Sequence, residues 1–181
     1  MWEQLLDWDE QLLIYLNSFG SPTYDEFWIF VTQIKNWIPL YALFFFLFLK
    51  TFPIKKALKG IFFTLLALGV SLGLTELIKV WIARIRPNNV LELGDTLRIL
   101  QTPDDYSFFS GHAAVSIAIT LFVVLALRHR YKWISLLFIW PLIFCWSRIY
   151  VGVHYPGDII TGILVGSILG YSIYAMYKRL N

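Results

Sequence analysis

Residues 57–82 read ALKGIFFTLLALGVSLGLTELIKVWI, and the charged residues in this run are Lys59, Glu76 and Lys79. A helix needs roughly 20 mostly apolar residues to cross a bilayer, so this stretch is long enough to span one. Other apolar stretches come near the same length, at 26–50, 111–128, 133–150 and 157–177. The pattern predicts an all-α, polytopic membrane helix bundle of five to six transmembrane helices.

The composition agrees with a membrane environment. Of 181 residues, 58% are hydrophobic and 15% are charged, which is far from the balance of a soluble domain. The net charge of +3 is spread over clusters at the ends of apolar segments, a pattern typical of membrane topology and not of nucleic-acid binding. We therefore expect membrane lipids as partners and no nucleic acid, and the oligomeric state is left open.

The N-terminal part has a different pattern. Residues 1–18 place apolar side chains near helical spacing and acidic side chains opposite them, which predicts an amphipathic helix at the membrane surface. Lys35, Asn36 and Pro39 interrupt the stretch 26–50, so its span is expected to be kinked or to form two pieces. The whole chain, 1–181, is expected to form a single domain.

Basic residues between the spans predict the topology. They are Lys50, Lys55, Lys56 and Lys59 between the first two spans, and Arg128, Arg130 and Lys132 between the third and the fourth. Because loops rich in Lys and Arg stay in the cytoplasm, both of these loops are expected there. The opposite span ends then lie at the periplasmic or extracellular face of the cell (inner) membrane.

Three short segments carry groups that suit phosphate chemistry. In the first, Lys79 and Arg86 are seven residues apart, so one helix would present both cations on one face before Pro87 ends it. Both could instead extend to lipid head groups, and Arg84 is expected to do so. Glu76, one turn before Lys79, is expected to have a cationic partner and to support the site from behind.

The second segment is Ser110, Gly111 and His112, directly before an apolar run. Serine is a good helix N-cap, and the opening amides of a helix bind phosphate readily. His112 would then be placed to protonate a leaving oxygen, although a histidine at a membrane boundary can also be simply interfacial.

The third segment contains Arg148, His154 and Asp158. Pro156 suits the first turn of a helix, which would put Asp158 in that turn and His154 just ahead of it. The carboxylate would orient the imidazole and leave its other nitrogen free to attack phosphorus. The alternative is a helix cap beside an interfacial histidine.

The predicted topology places all three segments at the same, non-cytoplasmic face. Several cations, a helix N-terminus and two histidines together suit phosphoryl transfer, in which positioning and charge stabilisation carry most of the catalysis. Asp104 and Asp105, in the loop at this face, are expected to be solvated.

The segments K-x6-R-P at 79–87, S-G-H at 110–112 and S-R-x5-H-x3-D at 147–158 resemble the type 2 phosphatidic acid phosphatase superfamily. Vanadate haloperoxidases share this motif set, but they are soluble and do not fit the apolar spans. The resemblance, carried by residues 79–158, implies that His154 forms a phosphohistidine and that Asp158 orients it. It also implies that His112 protonates the leaving group and later activates water, with no metal or other cofactor.

The resemblance implies further roles around the phosphate. Lys79, Arg86 and Arg148 would hold its oxygens, and Ser110 with the Gly111 amide would complete the cradle. The family's usual proline before Ser-Gly-His is replaced here by Phe109, which raises a question about local geometry or acyl-chain contact.

The function expected on this basis is hydrolysis of a lipid phosphate or diphosphate. Undecaprenyl diphosphate is the leading substrate by analogy with compact members of the family, and phosphatidylglycerol phosphate, phosphatidic acid and lipid A phosphates stay open. Phosphoryl transfer to another lipid or sugar would use the same residues. A lipid-phosphate transporter is the non-enzyme alternative, but it gives His154 and Asp158 no role.

Overall fold

The computed structural model describes residues 1–180, and this part of the chain is helical with short 3₁₀ turns and no strand. Its α-helices are α1 (Trp2–Asn17), α2 (Asp25–Thr32), α3 (Ile38–Thr51), α4 (Ile54–Ile82), α5 (Gly111–Leu127), α6 (Ile139–Tyr150) and α7 (Pro156–Arg179). A 3₁₀ segment, Lys132–Phe138, leads directly into α6. The loop between α4 and α5 is the longest interval without an α-helix within the described residues.

Fewer helices than predicted meet the length and hydropathy criterion for a membrane span. By length and composition three described stretches qualify, beginning at Ile54, Lys132 and Pro156, and α2 with α3 makes a fourth if the bent pair is one span. Helix α5 is apolar but has only 17 residues, and it is buried along most of its length among the other helices. The helical membrane bundle is confirmed, whereas the count of five to six falls to three or four by this criterion.

The break between α2 and α3 is the predicted interruption of the first span. The two helices are bent by 69° relative to each other. At the break the Asn36 side-chain amide donates a hydrogen bond to the Phe30 carbonyl, and the Trp37 indole donates to the Val31 carbonyl, both at 2.7 Å. Carbonyls at a helix end have no partner within the helix, so these side chains satisfy them where water is scarce.

Helices α5 and α7 pack closely because α7 has a glycine every four residues. A Cβ atom on Gly162 would lie 2.7 Å from the Ser110 carbonyl oxygen, and one on Gly166 would collide with the backbone of Ala114. Small residues at this spacing let two helix backbones approach each other. The close contact holds the start of α5 against the start of α7.

Helix α1 is amphipathic, and its inner side packs against α6 and α7. Leu13 and Asn17 are buried, and the Asn17 amide donates to the carbonyls of Ile149 and Tyr150 at 3.0 Å. Trp2 and Trp8 on its outer side are 71% and 63% exposed. A helix with an exposed aromatic side and a fixed inner side suits a membrane surface.

The two basic loops meet at one end of the bundle. Lys56, His129 and Lys178 line one surface pocket there, and the Thr51 and Tyr131 hydroxyls are 3.1 Å apart. The three motif segments lie at the other end. This arrangement agrees with the predicted topology, in which the basic loops share one side of the membrane.

Candidate active site

A cavity of about 260 Å³ brings the three motif segments together. Its polar wall consists of Glu76, Lys79, Arg86, Asp105, Gly111, His112, Arg148 and His154. Its other wall is largely apolar and includes Ile34, Tyr41, Leu68, Leu72, Val115 and Phe144. A cluster of cations and histidines beside an apolar surface suits a ligand with a phosphate head and a lipid tail.

His154 and Asp158 form the pair that their spacing predicts. Pro156 begins α7, and Asp158 lies in its first turn, where the carboxylate Oδ2 accepts a hydrogen bond from the Tyr155 amide at 3.1 Å. The same oxygen is 3.3 Å from Nδ1 of His154. Both side chains are buried, at 1% and 0% exposure.

The other ring nitrogen of His154 faces a cation. Nε2 is 2.9 Å from Nη1 of Arg86, and a guanidinium can only donate, so Nε2 carries the lone pair and Nδ1–H donates to Asp158. Burial lowers the pKa of His154 well below its ordinary value, and the positive charges of Arg86 and Arg148 lower it further. The imidazole is therefore neutral near pH 7, with its lone pair directed at the cationic wall.

Arg86 reaches the site by a route different from the predicted one. Helix α4 ends at Ile82, Ala83 adopts a left-handed conformation with φ 52°, and Arg86 is extended, so Lys79 and Arg86 do not share a helix. A residue before proline avoids the helical region, which explains the extended Arg86. The chain turns back at Ala83, and both cations still converge on the cavity.

Asp105 is the partner on which these cations converge. Its side chain is 45% exposed, in agreement with a solvated loop residue, but it also forms ion pairs in the cavity wall that were not expected. Its carboxylate bonds Lys79 and accepts from Nη2 of Arg86 at 2.9 and 3.0 Å. Partial burial would raise its pKa, but the hydrogen bonds and charges of Lys79 and Arg86 outweigh this and hold the pKa at about 2. Glu76 lies 3.4 Å from Lys79, the expected cationic partner, and is 64% exposed.

Arg84 was expected at the lipid head groups, and the structure places it against Asp158 instead. One guanidinium nitrogen donates to Oδ1 of Asp158 and the other to Asp9 of α1, both at 2.8 Å. Its side chain is 18% exposed. The reason is the turn at Ala83, which directs Arg84 inward toward the start of α7.

Thr32, which the sequence did not single out, binds two residues of the site from the end of α2. Its carbonyl oxygen lies 3.3 Å from Nε2 of His112, and its hydroxyl bonds Nη1 of Arg148. Gln101 also accepts from Arg148, at 3.2 Å. The predicted interruption of the first span could have indicated a functional residue here. A helix that ends inside a membrane protein leaves a carbonyl free for a functional contact.

The start of α5 has the predicted N-cap. The Ser110 hydroxyl accepts a hydrogen bond from the Ala113 amide at 3.4 Å, and Ser110 is fully buried. Gly111 and His112 line the cavity, whereas Ser110 lies behind them. Phe109, in place of the family's proline, is 3% exposed and so belongs to the packed interior. The geometry gives Ser110 a capping contact, and its predicted contact with phosphate stays a prediction.

Relatives of known activity match almost the whole chain. The lipid A 4'-phosphatase of Bacteroides thetaiotaomicron is 30% identical over 100% of this chain and 82% of its own, and that of Porphyromonas gingivalis is 32% identical over 97% and 75%. An undecaprenyl-diphosphatase of Sulfolobus acidocaldarius is 31% identical over 93% of this chain and 78% of its own. These proteins are enzymes, which favours the phosphatase hypothesis over that of a lipid-phosphate transporter.

A solved structure and a family model support the same assignment as these relatives. A PAP2-type phosphatidylglycerolphosphate phosphatase of Bacillus subtilis has a crystal structure that superposes with a TM-score of 0.76, at 20% identity, over 98% of this chain and 88% of that chain. Residues 59–181, more than half of the 181-residue chain, match the model of the PAP2 superfamily. The chain therefore belongs to the PAP2 superfamily and is an integral membrane lipid phosphatase.

Proposed function

We propose that the whole chain, 1–181, is one phosphatase unit that hydrolyses a lipid phosphate through a phosphohistidine at His154. The observation that carries the proposal is the state of this imidazole, with Nδ1–H on Asp158 and the Nε2 lone pair facing the cationic wall of the cavity. A nucleophile needs a free lone pair and a partner that stabilises the positive charge formed by attack. His154 has both.

The reaction has two steps. The negative charge of the bound phosphate first stabilises His112 in its protonated form. Nε2 of His154 then bonds to phosphorus while the bond to the lipid oxygen breaks, and that oxygen takes a proton from the His112 imidazolium. His112, now neutral, accepts a proton from water as the water oxygen attacks phosphorus and the N–P bond breaks. Inorganic phosphate leaves, and both histidines return to their starting protonation states.

The cations hold the phosphate through both steps. In the proposal Lys79, Arg86 and Arg148 bind its oxygens, and the Gly111 amide at the start of α5 adds a backbone donor. Arg86 contacts Nε2 of His154, so the incoming phosphate takes over this guanidinium and frees the lone pair. Glu76 lies beside Lys79 in the cavity wall, at 3.4 Å, and helps to position it.

We infer that lipid A phosphomonoesters rank first among the substrates. Two of the relatives described are lipid A 4'-phosphatases, and their alignments cover 100% and 97% of this chain. Undecaprenyl diphosphate, the substrate expected first from the sequence, is supported by one of the relatives described and ranks second. The head group enters from the periplasmic or extracellular side of the inner membrane, and the tail stays in the bilayer.

The test is release of inorganic phosphate by the purified protein in detergent with a chelator present. Lipid A, undecaprenyl diphosphate, phosphatidylglycerol phosphate and phosphatidic acid are compared, and His154→Ala is expected to abolish release from every substrate that the wild type hydrolyses. His129→Ala is the matched control, because this histidine is exposed and lies at the opposite end of the bundle.

The outcomes separate the alternatives. Activity that persists in His154→Ala would overturn the nucleophile, and activity lost on chelation would overturn the metal-independent reaction. Among residues 1–180 the structure shows no group of three side chains arranged to hold a metal ion. A product phosphorylated on an added lipid or sugar acceptor would establish transfer in place of hydrolysis. Faster turnover of undecaprenyl diphosphate than of lipid A would reverse the ranking.

A further inference from the structure

The carboxylate of Asp158 is held from two sides. Oδ2 faces Nδ1 of His154 at 3.3 Å, and Oδ1 accepts from Nη1 of Arg84 at 2.8 Å. The carboxylate is fully buried, and burial disfavours the charged form of an acid unless a cation compensates it. Arg84 is the cation in direct contact with Asp158.

Arg84 is itself fixed from three directions. Its Nη2 donates to Oδ2 of Asp9 in α1 at 2.8 Å, and its guanidinium carbon lies 3.8 Å from the centre of the Tyr155 ring. The other oxygen of Asp9 accepts from the Gly157 amide, in the first turn of α7, at 2.7 Å. A chain of contacts therefore runs from α1 through Asp9 and Arg84 to the carboxylate that orients His154.

Arg84 does not line the cavity that contains the phosphate-binding cations. It lines a different pocket of about 400 Å³ between α1 and the start of α7, together with Trp2, Trp8 and Pro156. Its guanidinium is held between two carboxylates and an aromatic ring, so it is separated from a substrate phosphate by the His154–Asp158 pair. The direct contact of Arg84 with the His154–Asp158 pair is its hydrogen bond to Asp158.

We propose that Arg84 is a positioning residue for Asp158, and that Asp9 makes the surface helix α1 part of the catalytic apparatus. This inference rests on the proposed phosphohistidine mechanism. Arg84 keeps Asp158 ionised and directs Oδ2 toward His154. Asp9 fixes the guanidinium plane, because a planar fork between two carboxylates has one orientation that satisfies both.

The test measures kcat and KM for phosphate release by Arg84→Ala, Arg84→Lys and Asp9→Asn. Partners that orient a functional group through hydrogen bonds typically contribute about 10–100-fold to activity, and we expect Arg84→Ala to lower kcat by about that factor. KM and inhibition by vanadate are expected to stay within about twofold, since the phosphate cations are untouched. Arg84→Lys should regain part of kcat, because it restores the positive charge but not the planar guanidinium that bonds both carboxylates.

Asp9→Asn should lower kcat less than Arg84→Ala does. The amide oxygen can still accept from the Gly157 amide, so the change removes the charge opposite Arg84 and keeps the cap of α7. Arg98→Ala is the matched control. Arg98 also forms an ion pair with an aspartate, Asp25, at 2.7 Å and with similar exposure, away from Asp158.

The inference is overturned if Arg84→Ala retains full kcat, or if KM and vanadate inhibition change as much as kcat does. It is also overturned if Arg98→Ala and Arg84→Ala lose activity in proportion to a common loss of thermal stability. Should Arg84→Ala fail to fold, the Lys and Asn variants decide by the same criteria. Failure of wild-type protein to form acid-labile phosphohistidine would instead reject the proposed mechanism, so the two failures are distinguishable.

Discussion

At the scale of single residues, the cationic wall of the cavity is paired with an anion of the protein itself. Asp105 bonds both Lys79 and Arg86, the cations that the proposed mechanism assigns to phosphate. The remaining donors of Arg86 are also engaged, with the backbone carbonyls of Asp105 and Val153 and the ring of His154. A substrate phosphate that binds Lys79 and Arg86 therefore competes with this carboxylate, and the free energy of binding includes the exchange.

Asp105→Asn is expected to tighten phosphate binding. Removing the carboxylate charge frees Lys79 and Arg86, and since a hydrogen bond to a charged group contributes ~1.5–3 kcal/mol, KM and the inhibition constant for vanadate should fall by about tenfold. Steady-state kinetics measure both constants. Asp104→Asn, at the exposed neighbouring position, is the control and should leave them unchanged. A higher KM in Asp105→Asn would show that this carboxylate supports binding.

The effect of Asp105→Asn should not depend on pH in the ordinary assay range. The pKa of Asp105 is lowered to about 2, so its charge is present above that value and is lost only as the pH falls through it. The ratio of mutant to wild-type KM is therefore expected to stay constant from about pH 5 to about pH 8. A ratio that approaches one toward pH 5 would contradict the lowered pKa.

Thr32→Val, which keeps the size of the side chain, should lower kcat/KM. The substitution removes the hydroxyl that bonds Arg148, and a buried guanidinium that loses a partner is held less well for phosphate. We expect a loss of about tenfold in kcat/KM, in the range typical of an orienting contact. Thr51→Val is the control, because its hydroxyl bonds Leu47 and Tyr131 at the other end of the bundle. Equal activity in both variants would show that the Thr32 hydroxyl does not support the active site.

At the scale of helices, the sequence predicted most elements well because each has a local signal. The break before Pro39, the cap at Ser110, the start of α7 at Pro156 and the glycine stripe of α7 all follow from the conformational limits of those residue types. The His154–Asp158 pair could be predicted for the same reason. Its two residues are separated by a single helix start.

The contacts that the sequence missed join residues far apart in the chain. Arg84 meets Asp9 and Asp158, and Asp105 meets Lys79, at separations that no helical period reveals. The end of α4 at Ile82 was also missed, because the left-handed Ala83 is not a glycine and has no local signal. The position of Arg84 depends on this turn, so the missed helix end led to the wrong expectation for its side chain.

Gly166→Ala tests the contact between α5 and α7. A methyl group at this position collides with the backbone of Ala114, and overpacking of this kind typically costs about 1–3 kcal/mol. We expect a lower midpoint of thermal unfolding in detergent and a lower kcat, because α5 also carries His112. Gly73→Ala on α4 is the control, since its added Cβ meets nothing within 4 Å. Similar unfolding midpoints for the two variants would contradict the close packing.

At the scale of the whole molecule, the ends of the bundle differ in charge and chemistry. The basic loops around Lys56 and His129 lie at one end, and the cavity with His154 lies at the other. Because basic loops stay in the cytoplasm, the cavity is expected to face outward. An outward site meets its substrate after the lipid has reached the outer leaflet.

The orientation can be measured by labelling single cysteines in intact cells with an impermeant maleimide. Asn89→Cys, in the exposed loop near the cavity, should react in intact cells, whereas His129→Cys should react only after permeabilisation. The native Cys145 is buried and should contribute little background. The reverse pattern would place the cavity at the cytoplasmic side.

The size of the cavity has a consequence for inhibitors. At about 260 Å³ it is smaller than the roughly 300–1,000 Å³ of pockets that enclose drug-sized ligands, so it can enclose a phosphate head but not a lipid tail. The family-motif residues Lys79, Arg86, His112, Arg148 and His154 form most of its polar wall. A compact phosphate mimic is therefore expected to inhibit relatives with different lipid substrates alike. A selective compound needs a second part that extends outside the cavity.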